Sequence, residues 1–426
     1  MNTTEYDKAE ANDNDETDDD SSMLDILLDA NTYVESFRKC RKGSDWKESV
    51  QRYEANMLHN INKQIKSFKD GTYKQKPFNE FTLHERGKTR EIKAISIEDR
   101  IILRPVCDDI ITPCIDKYLI HDNGASRKGM GISHTRKRLE KHLHEFYRKN
   151  KSNEGYILLI DFTKYFDNIR HDKLIEEYQN IIKDEKVIEF IKQIIGSFSI
   201  DVSYMTDEEY KYCMNTVFNA LEYSKINTMY LTKEKYMHKS VGIGSQLSQH
   251  SGLLYPIRVD NYCKIVKGLK YYGRYMDDTY IIHKDKKYLQ ELLKEIDEIC
   301  NEYGIFINKK KTQIIKLTHT FSFLKIRYNL TSTGKLIRRV NKSTVTRKRR
   351  KLKSFRNMLD DGVIDYKEIE NQYKSWKNNY TKDYDSYKTI KNMDELYNAL
   401  FIKPFIEGRD YYEQIKTSNN NDKRRN

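Results

Sequence analysis

Two adjacent carboxylates, Asp277 and Asp278, stand between two short apolar runs, Leu269-Lys270-Tyr271-Tyr272 and Thr279-Tyr280-Ile281-Ile282. Strand-forming residues on both sides of Tyr275-Met276-Asp277-Asp278 predict a β-hairpin with the acids at its tip. Neighbouring anions repel, and a chain gathers them mainly to hold a divalent cation. Taken alone, Asp-Asp is more often an ordinary surface turn. A second acidic position weighs against that here. Tyr156-Ile157-Leu158-Leu159-Ile160 is apolar throughout, as in a strand covered on both faces, and it ends at Asp161. If strand and hairpin are neighbours in one sheet, three carboxylates converge at its edge. Such a set binds two Mg²⁺ ions, or Mn²⁺ in their place, one activating an attacking hydroxyl and one holding a triphosphate.

At 426 residues, 38% hydrophobic and 33% charged, the chain is expected to form two to four globular units with a wet surface. No apolar run approaches the roughly 20 residues that span a bilayer. The N-terminus is acidic where a secretory leader would be basic and then apolar, so a cytoplasmic protein without membrane partners is expected. Net charge is +13, although residues 1–22 hold nine acids and one lysine. The rest is therefore more basic than the total shows. Between Lys335 and Arg356 there are eleven Lys or Arg residues and no acid. A solvated helix face is the plain explanation of such a run. The basic body around it and the neighbouring Tyr328 and Phe355 favour a nucleic-acid surface. Six cysteines without a C-x-x-C pair are expected to be reduced core thiols.

Residues 1–23 are read as a disordered acidic tail. Helical spacing runs from Leu24 to Phe68, and Phe78 to Ile97 reads as two strands around Glu85-Arg86-Gly87-Lys88. A helical face follows from Asp99 to Tyr118. Ser126-Arg127-Lys128-Gly129-Met130-Gly131 is a basic, glycine-punctuated loop ahead of a helix from His134 to Arg148. Residues 199–240 are rich in tyrosine and charge, with weak periodicity. Leu289, Leu292, Leu293, Ile296, Ile299 and Cys300 line one helical face that Gly304 ends. After Lys335 the pattern reads as all helical, over Ser343–Leu359, Tyr366–Tyr373 and Thr389–Phe401, with Pro404 closing the last and a frayed tail beyond.

Tyr156–His171 (YILLIDFTKYFDNIRH), Gly242–Gln249 (GIGSQLSQ), Tyr275–Asp278 (YMDD), Asn308–Thr312 (NKKKT) and Phe321–Leu324 (FSFL) resemble, in order, motifs A to E of reverse transcriptases. Lys88-Thr89-Arg90-Glu91-Ile92 and Asp99-Arg100 are similar to fingers motifs of the bacterial and phage members. The likeness spans about residues 80 to 330. It implies an α+β right-hand polymerase fold: fingers at 24–155 and 181–240, an antiparallel palm at 156–180 and 241–330, a helical basic thumb at 331–404, and a tail at 405–426. The reaction it implies is RNA-directed DNA synthesis. Asp161, Asp277 and Asp278 would be the metal ligands, with the Phe162 carbonyl. Phe166 falls at the aromatic gate that excludes a ribose 2′-hydroxyl, against a plain role in core packing. Lys88 and Arg90 match the triphosphate-gripping cations, and Lys311 the proton donor to pyrophosphate. Ile243, Gly244 and Gln249 would line the nucleotide and template side. Arg127, Lys128, Arg347, Arg349 and Arg350 are the candidate nucleic-acid contacts.

Many reverse transcriptases have Gln where this chain has Ile243. An apolar residue there resembles the enzymes of diversity-generating retroelements and of antiviral defence systems. The expected partners are an RNA template, which a dedicated non-coding RNA would supply, a DNA primer or product, and dNTPs, with room for an accessory protein. Other readings are a palm-fold RNA polymerase, an RNA-binding maturase, and an abortive-infection protein with untemplated DNA synthesis. The first more usually shows Gly-Asp-Asp and a smaller residue at 166. The second would be expected to add a helical domain. A retron enzyme is disfavoured, because Arg347 follows Val345-Thr346 where glycine is expected.

Overall fold

Pairing, capping and burial give the chain two units. The described residues up to Lys117, with Leu174–Ser199 and Val241–Ser248, form the first; Tyr118–Lys173, Ile200–Ser240 and the described residues from Gln249 form the second. The computed structural model describes residues 21–85, 87–223, 226–381 and 384–402. The acidic stretch 1–20 and the tail from 403, with Pro404, lie outside the described residues.

The described part of the first unit opens with a 3-10 turn, Met23–Leu28. Ser22 and Asp25 form a capping box there. Asp184 accepts from Ser22 Oγ (2.8 Å) and also caps the helix Glu185–Gly196 through the Val187 N–H. Helix Ala30–Arg41, capped by Asp29, packs on helix Ile97–Pro105, where Ser36 Oγ donates to the Ile101 carbonyl at 2.7 Å. Pro105 has no N–H for the helical ladder, and the helix widens into a π turn over Val106–Ile111. Asp99 is buried, which pushes its carboxyl pKa up. It accepts from Tyr73 Oη, Ser96 Oγ and the Lys76 N–H. Strands β1 (Asn79–Glu85) and β2 (Lys88–Ala94) form an antiparallel hairpin, as the sequence predicts.

In the second unit, β3 (Tyr156–Ile160) is followed by a two-stranded ladder of β4 (Ile200–Asp201) and β5 (Tyr236–Met237). Next come β6 (Tyr272–Tyr275), β7 (Asp278–His283) and β8 (Gln313–Lys316). With β3 they make an antiparallel sheet in the order β6-β7-β3-β8. Ile157, Leu158 and Ile160 are buried, as an interior strand requires. Helix Lys286–Glu302, capped by Asp285, buries Leu289, Leu292, Ile296 and Cys300, and Gly304 follows it at φ +67.

A second sheet holds β9 (Phe321–Phe323), β10 (Ile326–Leu330) and β11 (Leu336–Val340), in the order β11-β10-β9. Helix Ile132–Asn150 shares one core with both sheets through Leu139, Leu143, Phe146, Ile157, Tyr280 and Tyr328. The all-helical expectation after Lys335 therefore fails at β11. Leu336 and Val340 point inward there and pair with Leu330 and Ile326. A period of two was hidden in a basic run. Helices Lys342–Asp360, Tyr366–Thr381 and Tyr387–Phe401 then build their own core on Leu352, Phe355, Ile369, Met393 and Phe401.

Residues 200–240 also have a core of their own, formed by Val202, Met205, Cys213, Phe218 and Met237. They belong to the second unit, whereas Leu174–Ser199 belong to the first. Of the six free cysteines, Cys114 is half-buried and the other five are buried, as core thiols should be.

Candidate active site

Register is what brings the acids together. β3 pairs with β7 from Tyr156↔His283 to Ile160↔Thr279, and one step further along stand Asp161 and Asp278. β7 pairs with β6 through Tyr275↔Asp278, leaving Met276 and Asp277 as the two-residue tip. The hairpin expected from sequence is therefore present, and all three carboxylates end at one edge of one sheet, each half-buried.

They do not yet form a cage. Among the described residues no three His, Cys, Asp or Glu side chains are gathered to hold a metal. Lys311 instead spans the Asp161 carboxylate, with Nζ 2.6 Å from Oδ1 and 2.9 Å from Oδ2. The loop that carries Lys311 is tied to the same strand end, since the Asn308 N–H donates to the Asp161 carbonyl at 2.8 Å. Thr163 N–H donates to Phe306, flanking the bridge Phe162↔Ile307. In such a pair the Phe162 carbonyl points away from residue 307 and stays outside that ladder. Carboxylate and carbonyl oxygens are the hard donors that Mg²⁺ and Mn²⁺ prefer. Asp161 also already accepts a cationic group, so the donor chemistry fits a divalent ion.

The turn after Asp161 separates two aromatic rings. Tyr165 is buried and donates its hydroxyl to the Gly252 carbonyl at 2.7 Å. Phe166 is only half-buried and lies against Gly252, where an added Cβ would stand 2.9 Å from its ring. The tie to Gly252 makes Tyr165 the packing residue and leaves Phe166 the less buried ring of the two.

Asn168 holds this turn from below. Its Oδ1 accepts from the Phe218 N–H (2.8 Å), and its Nδ2 donates to the Phe218 carbonyl (3.1 Å). Lys239, fully buried, donates to Asn168 Oδ1, to the Cys213 carbonyl and to the Thr216 carbonyl, at 3.2, 3.0 and 2.9 Å. Burial pushes its ammonium down to about 8. Sequence reasoning missed both residues. A lysine inside residues 199–240 carries no sign of what it faces.

Lys88 opens β2 opposite Glu85, and Arg90 lies half-buried opposite Leu83. Both belong to the first unit, with Ile243 and Gly244. The Lys93 N–H donates to the Ile243 carbonyl at 3.0 Å. Gly244 sits at φ +140, where a Cβ would come within 2.7 Å of the Lys93 carbonyl, so a backbone approach demands glycine there. Gln249 is exposed on helix Gln246–Leu254.

Of the loop cations, Lys128 is exposed. Arg127 is half-buried and spends Nη1 on the Ile120 and Asn123 carbonyls, both at 3.0 Å, so it braces its own loop. Arg347, Arg349 and Arg350 are exposed on helix Lys342–Asp360, away from buried Leu352 and Phe355.

The antiparallel sheet thus delivers three carboxylates to one edge, with Lys311 on the first of them. Residues 74–328 match the reverse transcriptase (RNA-dependent DNA polymerase) family, and that is more than half of the chain. The chain belongs to this family. Members of the family use divalent metal ions. No curated protein matches the chain.

Solved structures similar to it include the telomerase from Candida albicans in complex with the TWJ fragment of telomeric RNA. The two are 14% identical at a TM-score of 0.44, over 76% of this chain and 53% of that one. Apo telomerase from Candida tropicalis is 16% identical at 0.40, over 66% and 53%; the same enzyme truncated from its C-terminal domain gives 16% and 0.40, over 63% and 58%. The chain thus spans between half and three-fifths of the length of these structures. Among the described residues no helix is long and apolar enough to cross a membrane.

Proposed function

We propose that the chain copies an RNA template into DNA at the edge formed by Asp161, Asp277 and Asp278. The observation that carries this is the register of β3 against β7, which ends Asp161 and Asp278 side by side. The three carboxylates and the Phe162 carbonyl would hold two Mg²⁺ ions, or Mn²⁺, which activate the attacking hydroxyl and stabilise the charge on the triphosphate. Lys311 balances the charge of Asp161 and, once released from it, donates a proton to the leaving pyrophosphate oxygen. Phe166, the less buried of the two rings, meets the sugar and excludes a 2′-hydroxyl. Lys88 and Arg90 grip the triphosphate, and Ile243, Gly244 and Gln249 contact the nucleotide and its template base.

The exposed arginines of helix Lys342–Asp360, with Lys128, would follow the phosphates of the template–product duplex. The parts act as fingers, palm and thumb. Ile243 favours a setting in a bacterial or phage retroelement that diversifies sequence, or in antiviral defence. Sequencing the nucleic acid that co-purifies with the protein separates these settings. A mutated copy of a nearby repeat supports diversification; a repetitive or single-locus cDNA supports defence.

The metal assignment is tested by titrating Mn²⁺ into the purified protein and reading bound ion by electron paramagnetic resonance. Wild type should bind Mn²⁺, and Asp161→Asn should weaken that binding without shifting the melting temperature. Equal binding by the two proteins would contradict the assignment.

A further inference from the structure

Arg274 lies on β6, one residue before the Tyr275–Asp278 tip, with no exposed surface. A buried guanidinium must find acceptors for a fork of five N–H donors. This one reaches three elements. Its Nε donates to Asp260 Oδ1 at 2.9 Å and Oδ2 at 3.1 Å. Its Nη2 donates to Asp260 Oδ2 at 2.6 Å and to the Leu253 carbonyl at 2.9 Å. Its Nη1 donates to the Met276 carbonyl at 3.0 Å. Asp260, equally buried on helix Ile257–Asn261, also accepts from Tyr272 Oη at 2.5 Å. The Arg274 main chain is held too, its N–H donating to the Asp122 carbonyl at 3.1 Å.

The Met276 carbonyl belongs to the peptide that joins Met276 to Asp277. That peptide is planar, so fixing its oxygen fixes the direction in which Asp277 leaves the turn. Met276 itself is left-handed, at φ +54. This conformation is uncommon outside glycine and is held only where the surroundings enforce it.

We propose that Arg274, clamped by Asp260, is a positioning residue for catalysis. It fixes the Met276–Asp277 peptide and so aims the Asp277 and Asp278 carboxylates at the edge where the divalent ions are held. The inference rests on the function proposed above for that edge. The alternative is a pair that serves folding alone.

A charge-balanced replacement separates the two. Exchanging a buried ion pair for apolar side chains of similar volume is often neutral for stability. Arg274→Met combined with Asp260→Leu should therefore fold, while leaving the Met276 carbonyl without its donor. Arg274→Lys is the second variant: it keeps a charge against Asp260, but one ammonium cannot also serve Leu253 and Met276.

The experiment measures melting temperature, the kcat and KM of primer extension, and the Mg²⁺ concentration for half-maximal rate. A misaimed ligand should lower kcat about 100-fold and raise the Mg²⁺ requirement, with KM for dNTP nearly unchanged. Either variant, folded and showing this pattern, supports the proposal. A folded variant with wild-type kcat and Mg²⁺ midpoint overturns it, and so does loss of fold in both variants. Asp277→Asn in the same assay keeps the two levels apart. If it still extends primers, the function assigned to the edge fails. If it is inactive while the double variant behaves as wild type, only the positioning role of Arg274 fails.

Discussion

The hairpins β1–β2 and β6–β7 each turn on two residues, between Glu85↔Lys88 in one and Tyr275↔Asp278 in the other. Each has a left-handed residue at its turn, Gly87 at φ +73 and Met276 at φ +54. The first puts glycine there and leaves Phe81 and Leu83 exposed at 52% and 41% on its strand. The second accepts about 1–2 kcal/mol of left-handed strain at a methionine. It compensates with buried strands: Tyr272 and Arg274 on β6, and Thr279 to Ile282 on β7. One backbone device thus serves two purposes. A hairpin with little buried surface opens at low free energy and suits a gripping role. A hairpin anchored on all sides suits a task in which carboxylates must not move.

The largest expected difference is in amide exchange. The buried ladder of β7 should open only with the whole fold, at about 5–15 kcal/mol, whereas β1–β2 should open locally at far less. Hydrogen exchange read by mass spectrometry checks this, and equal protection of the two hairpins breaks the comparison. Substituting a glycine in each gives a smaller contrast. A Cβ on Gly273 would stand 2.6–2.7 Å from three atoms of the Tyr280 side chain, while one on Gly87 meets nothing within 4 Å. Gly273→Ala should lower stability by about 1–3 kcal/mol through overpacking. Gly87→Ala should cost about 1 kcal/mol, from its backbone angle alone. Thermal melts of the two variants test the ordering.

The division of labour can be sharpened with substrates. Phe166→Ala should relax the preference for dNTP over rNTP with little change in melting temperature, since that ring is only half-buried. Arg90→Ala should raise KM for both sugars alike. If Phe166 is core instead, its truncation would cost about 3–5 kcal/mol and leave sugar choice intact. The smallest effect belongs to helix Lys342–Asp360. Reversing the charge of Arg347, Arg349 and Arg350 should reduce the log–log salt slope of RNA binding by about 0.7–0.9 per lost phosphate contact. An unchanged slope would make that helix face merely solvated.

Much of this was legible wherever local pattern decides structure. The continuous apolar run of β3, the Asp-Asp tip and the helix closed by Gly304 each follow from periodicity or turn chemistry. Strand β11 was not, because its inward Leu336 and Val340 are embedded in a basic run that also suits a helix. The capping box Thr206–Glu209 starts helix Asp207–Asn215 and was readable within the segment that otherwise showed little pattern. Arg274 left only the faint signal of a charge inside a strand. Its partner Asp260 is on another element, and no spacing rule connects them. Charged groups that hold a site from beneath are set by tertiary contact, and there local sequence is silent.

The central claim is that the sheet edge of Asp161, Asp277 and Asp278 performs nucleotidyl transfer. Its most direct test is extension of a DNA primer on an RNA template by purified Asp277→Asn beside the wild type, with melting temperature and RNA affinity measured on both. The account predicts that extension is lost, with several kcal/mol of transition-state stabilisation removed, while melting temperature and RNA affinity stay near wild type. A folded Asp277→Asn protein that extends the primer at near the wild-type rate would contradict it.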